Sequence, residues 1–130
     1  MGKHLLLDCY DIPSRTQLND MDYIYRLLED IPRMIGMEIM QGPFVWPCRV
    51  AHNLGVTGMV IITTSHLSIH TWPERHYFSF DCFSCNDFDH EFVLNELSRR
   101  FEPGHMISSI IPRELPPPRL CCADFRKEGN

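Results

Sequence analysis

Lysine is almost missing from this chain: Lys3 and Lys127 are the only two in 130 residues, both near the ends. Chemistry that needs a lysine amine inside the fold therefore has no candidate. Basic residues as a whole are outnumbered, twelve Lys and Arg against seventeen Asp and Glu, for a formal net charge of −5. That balance argues against nucleic acid or an anionic membrane as a partner. Long apolar runs are also lacking. The longest, Leu5–Leu7 and Met59–Ile62, fall far short of the ~20 residues that span a bilayer. No charged start leads into an apolar run and a cleavage site, so no secretory signal is expected. The expectation is a soluble, cytoplasmic protein.

Cysteine is not scarce, but its pattern excludes the usual structural uses. Cys9, Cys48, Cys82, Cys85, Cys121 and Cys122 show no framework spacing. A cytosolic chain with a core of its own keeps such thiols reduced. Cys82 and Cys85 make one C-x2-C, and no second pair stands at zinc-ribbon distance. His66 and His70 are the nearest completing ligands, and no metal is expected. Repeats and low-complexity stretches are missing from the body of the chain. What remains is ordinary globular material, 44% hydrophobic and 22% charged. Its length suits one domain, 1–130, burying roughly two-thirds of its unfolded surface.

Leucine-rich Lys3–Cys9 reads as a strand, and polar Asp11–Gln17 with its proline as a loop. Asn19 or Asp20 caps a helix to about Asp30, with Met21, Ile24, Leu28 and Ile31 on one face. Pro32 and Gly36 close it. Met37–Met40 starts a second strand that Gly42-Pro43 interrupts, and Phe44–His52 has no clear period. Gly58–Thr63 is an apolar run of strand length, ending in a turn at Thr64-Ser65. From His66 to Trp72 the chain alternates, with His66, Ser68, His70 and Trp72 on one face and Leu67, Ile69 and Thr71 on the other. Tyr77–Cys85 is an aromatic-rich strand. Asp87 or Asp89 caps a helix to Phe101, with Val93, Leu97 and Phe101 four apart. His105–Ile111 is the last strand, and 113–130 is a proline-rich tail, extended or mobile. Strands joined by short turns pair antiparallel. The expected fold is α+β, a two-layer sandwich of a mainly antiparallel sheet with two helices on one face. The other sheet face is left for a partner subunit or a second sheet.

The informative stretch is G-V-T-G-M-V-I-I-T-T-S-H-L-S-I-H-T-W-P-E over 55–74, followed by Phe83-Ser84-Cys85. Taken singly, a turn serine, a strand histidine, a tryptophan and a free thiol each have an ordinary structural explanation. Together, with the opening G-K-H-L-L-L-D, they resemble the prokaryotic S-adenosylmethionine decarboxylases, pyruvoyl enzymes that cleave themselves at a serine. The resemblance covers most of the chain. Removing carbon dioxide from an amino acid leaves a carbanion, and no ordinary side chain offers an electrophilic carbonyl to hold it.

The resemblance implies that the chain makes its own carbonyl. Ser65 Oγ attacks the carbonyl of Thr64 to give an ester, and a base takes the Cα proton of residue 65. The ester is then eliminated, and the dehydroalanine hydrolyses to a pyruvoyl group that forms a Schiff base with the substrate amine. Cleavage at Thr64-Ser65 yields fragments 1–64 and 65–130. On the same resemblance His70 is the processing base, a role that suits imidazole near neutral pH. Thr57 stands where the family has a serine that assists processing. Cys85 is the proton donor to the substrate carbon, placed before a helix whose dipole would tune its thiol. Leu67, Trp72 and Glu74 are substrate-binding, Glu74 through the ribose hydroxyls. Cys82, on the other strand face with Phe78 and Phe80, reads as a core residue. The implied partners are a cationic amino acid, S-adenosylmethionine first, and a second copy of the chain in a homodimer with sites between subunits. The product would be the aminopropyl donor for spermidine synthesis.

Two departures keep alternatives in play. Thr64 stands where the family has glutamate, and a β-branched residue there changes the strain at the cleaved bond. Ala51 stands where common members carry an adenine-stacking aromatic, for which Phe44 or Trp46 could substitute. The alternatives are a pyruvoyl decarboxylase of the same fold acting on arginine or ornithine, and an unprocessed, non-catalytic relative.

Overall fold

The computed structural model describes residues 1–51 and 53–116. Most of the expected proline-rich tail, 117–130 with Cys121 and Cys122, lies outside the described residues, as does His52. The elements run β1 (Gly2–Tyr10), α1 (Arg15–Leu18), α2 (Met21–Met34), β2 (Ile39–Pro47), β3 (Val56–Ile62) and β4 (Ser65–Trp72). A short 3-10 helix (Pro73–Arg75), β5 (Tyr77–Ser84), α3 (His90–Phe101) and β6 (His105–Arg113) complete them. One six-stranded sheet has the order β2-β3-β4-β5-β1-β6, and every pairing in it is antiparallel.

Period-two alternation builds the core. In register across three strands stand Leu5, Cys82 and Leu67, then Leu7, Phe80 and Ile69, all buried on the same sheet face. Ile24, Leu27, Leu28 and Ile31 of α2 and Val93, Leu97 and Phe101 of α3 cover that face. The expected two-layer α+β sandwich is what forms. Asp20 caps α2 by accepting from the Tyr23 amide at 3.1 Å, and Asp89 caps α3 through Phe92 at 3.0 Å. Between the helices, buried Glu96 takes the Arg100 Nε–H at 2.8 Å while the same guanidinium reaches Asp30 at 3.1 Å. No described helix is long and apolar enough to cross a membrane.

Three local expectations needed correction. The segment read as a loop contains the one-turn helix α1, capped by Ser14 through the Gln17 amide. Helix α2 runs past Asp30 to Met34 with Pro32 inside it. Pro32 falls in the last turn, where its missing N–H removes a single hydrogen bond and its carbonyl still accepts from Met37 at 2.8 Å. Strand β2 continues through Gly42-Pro43 to Pro47 instead of breaking there. The register shifts twice between Ile39 and Phe44, and Gly42 adopts φ +90°. A bulge on an edge strand absorbs the proline, because β2 pairs with β3 on one side only among the described strands.

Among the described residues no helix covers the second sheet face. His4, Ile61, His66 and Phe83 form one row across it. Trp46, Thr57, His70, Ser79 and Asp8 form another row nearer the opposite end. Phe44, Trp46, Met59, Ile61, Ile107 and Ile111 are exposed large apolar side chains.

Candidate active site

Ile62 pairs with Ser65, so Thr63 and Thr64 alone turn the chain from β3 into β4. Thr64 sits in the left-handed region at φ +55°. For a β-branched residue this conformation stores strain of about 1–2 kcal/mol. Its hydroxyl donates to the Thr63 carbonyl at 2.7 Å and also contacts Cys85 Sγ. With the hydroxyl hydrogen spent on the carbonyl, the thiol is the donor in that contact. Ser65 is only 8% exposed. Its Oγ lies 3.1 Å from Ser84 Oγ and 3.2 Å from the Thr63 carbonyl oxygen. The hairpin end therefore assembles three of the expected residues: Thr64, Ser65 and Cys85.

Cys85 follows β5 directly and does not sit at a helix start. Helix α3 begins at His90 with its first amides served by Asp89, so the expected dipole tuning gives way to the Thr64 contact. Cys82 is fully buried on the helix side, and desolvation pushes its thiol up to about 12. It faces away from His66 and His70, which stand on the open face. His66, beside His4, has its imidazole held below the ordinary 6.5, first by burial and then by His4.

The remaining candidates lie elsewhere. Thr57 and His70 are cross-strand partners on the open face, Oγ1 to Nδ1 at 3.1 Å. His70 is five residues along β4 from Ser65, roughly 16 Å at strand spacing, and on the other face of the sheet. Trp72 stacks beside Tyr77 with ring centroids 5.2 Å apart. Glu74 accepts from the Leu54 amide at 3.2 Å, at the edge of a cavity of about 880 Å³ that Arg15, Asn19 and Asp20 also line. Leu67 is fully buried beneath the helices. Within one chain there are thus two half-sites: Thr64, Ser65 and Cys85 at one end, Thr57, His70, Trp72 and Glu74 toward the other.

Residues 3–114 match the S-adenosylmethionine decarboxylase family. The chain belongs to that family. Among its relatives, a Clostridium kluyveri protein named S-adenosylmethionine decarboxylase proenzyme is 32% identical over 116 residues, 88% of each chain. The proenzyme of the same name from Acetivibrio thermocellus is 32% identical over 117 residues, 87% of this chain and 88% of that one. That from Clostridium tetani is 39% identical over 87 residues, 67% of this chain and 65% of its own. The crystal structure of the adenosylmethionine decarboxylase from Aquifex aeolicus VF5 shares the fold, with a TM-score of 0.77, 22% identity, and coverage of 91% of this chain and 94% of that one.

Membership gives the motif residues a frame, and the geometry shows what several of them do locally. A Cβ on Gly55 would stand 2.0 Å from the Thr71 carbonyl oxygen, and one on Gly58 would stand 2.7 Å from Leu28 Cδ1. The two glycines of G-V-T-G thus let β4 and α2 close onto β3. Thr71, 1% exposed, accepts from the Val56 amide at 2.8 Å and donates to the Leu18 carbonyl at 2.6 Å. Ser84 was not singled out from the sequence. Only its place inside Phe83-Ser84-Cys85 could have drawn notice; its contact with Ser65 spans nineteen residues and is invisible in one dimension.

Proposed function

We propose that this S-adenosylmethionine decarboxylase family member cleaves itself between Thr64 and Ser65 and decarboxylates S-adenosylmethionine through a pyruvoyl group left on residue 65. The observation that carries the reading is the hairpin end: a buried serine, a strained residue before it, and a thiol against that residue. The pyruvoyl group would supply the electron-withdrawing carbonyl that no side chain here offers. The chain's own residues do the rest. Ser65 Oγ is the nucleophile, and strain at Thr64 favours leaving the peptide form. Cys85, whose Sγ lies against Thr64, would give the proton to the substrate carbon after carbon dioxide departs.

His70 and Thr57 then need to reach Ser65 from another copy. Two sheets stacked by their open faces, with a two-fold axis between them and across the strands, run their strands in opposite directions. The Thr57 and His70 end of the partner then lies over the Ser65 end, and two equivalent sites form. The exposed Met59, Ile61, Phe44 and Trp46 become the buried contact. His70 serves as the processing base, and Thr57, bonded to it, orients the ring. Trp72 and Glu74 receive the nucleoside, and any Leu67 contact runs through its main chain. Trp46, 69% exposed and paired with Thr57, is the aromatic best placed to stand in for the one missing at Ala51. The setting is the cytoplasm, where the free thiols Cys9, Cys48, Cys82 and Cys85 stay reduced.

Intact mass under denaturing conditions tests processing, with 1–64 and a blocked 65–130 expected. Carbon dioxide release from S-adenosylmethionine, arginine and ornithine at equal concentration tests the substrate. S-adenosylmethionine giving the lowest kcat/KM would hand the reading to arginine or ornithine, as the absence of an aromatic at Ala51 would then suggest.

A further inference from the structure

Ser84 is fully buried, yet its hydroxyl is in use. It accepts from the Asn86 amide at 3.0 Å and lies 3.1 Å from Ser65 Oγ. In the sheet Ser84 is paired with Ser65 on one side and with Lys3 on the other. A Cβ on Gly2 would meet the Ser84 carbonyl oxygen at 2.6 Å and the Cys85 Cα at 2.9 Å, so the start of β1 presses directly on this backbone. Strand pairing and Gly2 therefore hold the Ser84 backbone in place, and the Asn86 amide holds its hydroxyl oxygen. Ser65, by contrast, opens β4 immediately after a two-residue turn, where little else orients its side chain.

The hydrogen count sharpens the point. Ser65 has one hydroxyl hydrogen and two acceptors in reach, Ser84 Oγ and the Thr63 carbonyl. Either that hydrogen goes to Ser84, or it goes to Thr63 and Ser84 donates its own to Ser65 Oγ. In both arrangements the direction of the Ser65 Cβ–Oγ bond is set by the Ser84 oxygen. For self-cleavage that direction matters, because the attacking oxygen must approach one face of a carbonyl in its own backbone.

We propose that Ser84 is a positioning residue for self-cleavage: it aims Ser65 Oγ at the Thr64 carbonyl carbon. In the step it serves, the Oγ–C bond forms and the C–N bond of Thr64-Ser65 breaks. The Ser65 hydroxyl proton ends on the Ser65 nitrogen, so the rearrangement from amide to ester is isomeric and needs no co-reactant. The inference rests on the self-processing reading above and extends it to a residue with no assigned part.

The test follows the appearance of fragment 1–64 by intact mass in the full-length chain after synthesis. Ser84→Ala is expected to slow cleavage about tenfold or more, and Ser84→Thr to bring it back within about threefold of the unmodified chain. A purely structural role predicts the reverse order, because alanine fits a full site and threonine must force a methyl into it. Melting of the uncut Ser65→Ala chain with each Ser84 substitution checks that both variants fold. Ser84→Ala cleaving at the unmodified rate, or folded Ser84→Thr cleaving more slowly than Ser84→Ala, would overturn the proposal. An unmodified chain that never cleaves is a different result: it removes the self-processing reading itself and this proposal with it.

Discussion

Ser65, Cys85 and His66 each make a claim at the level of a single group. On the proposed mechanism Ser65→Ala removes the nucleophile, so it should leave one full-length chain where the unmodified protein is expected to give two. Cys85→Ala should still be cut and yet lose most turnover, since on the proposed mechanism the thiol enters only after carbon dioxide leaves; a cut Cys85→Ala chain with normal kcat would remove it from the mechanism. His66 predicts a stability effect. Its imidazole is held below 6.5 in the fold, so between the two values the unfolded chain binds more protons and stability rises with pH. The melting temperature should therefore fall as pH drops from about 7.5 through 6.5 toward 5.5. His66→Gln should flatten that dependence, and an unchanged slope would show that another group is responsible.

At the scale of elements, α2 is held by its cap and by what lies under it. Asp20→Ala removes the acceptor for the Tyr23 amide and should cost about 1 kcal/mol, seen as a shift in denaturant midpoint. Gly58→Ala forces a Cβ against Leu28 and should cost about 1–3 kcal/mol by moving α2 off β3. Helix and strand positions were legible because their periods are strong: Val93, Leu97 and Phe101 are all buried, and β4 alternates face by face as its sequence does. The misreadings at Pro32 and Gly42-Pro43 share one cause. A proline is a breaker only where its lost hydrogen bond or its ring meets a neighbour, and the last turn of a helix and a bulged edge strand offer little of either.

For the whole molecule, the separation of Ser65 from His70 yields a complementation test. Ser65→Ala and His70→Ala chains, each uncut or stalled alone, should give cleavage when produced together. In the proposed dimer a mixed pair would set the intact Ser65 of one chain against the intact His70 of the other, so only the His70→Ala chain should be cut. No cleavage in the mixture, with mixed dimers present by sedimentation, would place both residues' work within one chain. The exposed Met59 lies on the same open face. Met59→Glu should yield a folded monomer with little turnover.

The run from Gly55 to Glu74 and the Phe83-Ser84-Cys85 triplet, with the opening G-K-H-L-L-L-D, were enough to point to the family, and the order of periodic segments was enough to point to the layered fold. Alternation along β4 by itself assigns His70 and Leu67 to opposite faces. Local sequence carries such information because strand faces and turn positions depend on neighbours a few residues away. What no spacing could express is distance through the sheet. Ser65, His70 and Glu74 look like one compact motif in the chain, yet an extended strand spreads them over tens of ångströms. Cys85 and Ser84, far off in sequence, are the residues that strand pairing actually sets against Thr64 and Ser65. Tertiary structure decided those neighbours because hydrogen-bonded register, not chain order, determines which side chains meet across a sheet.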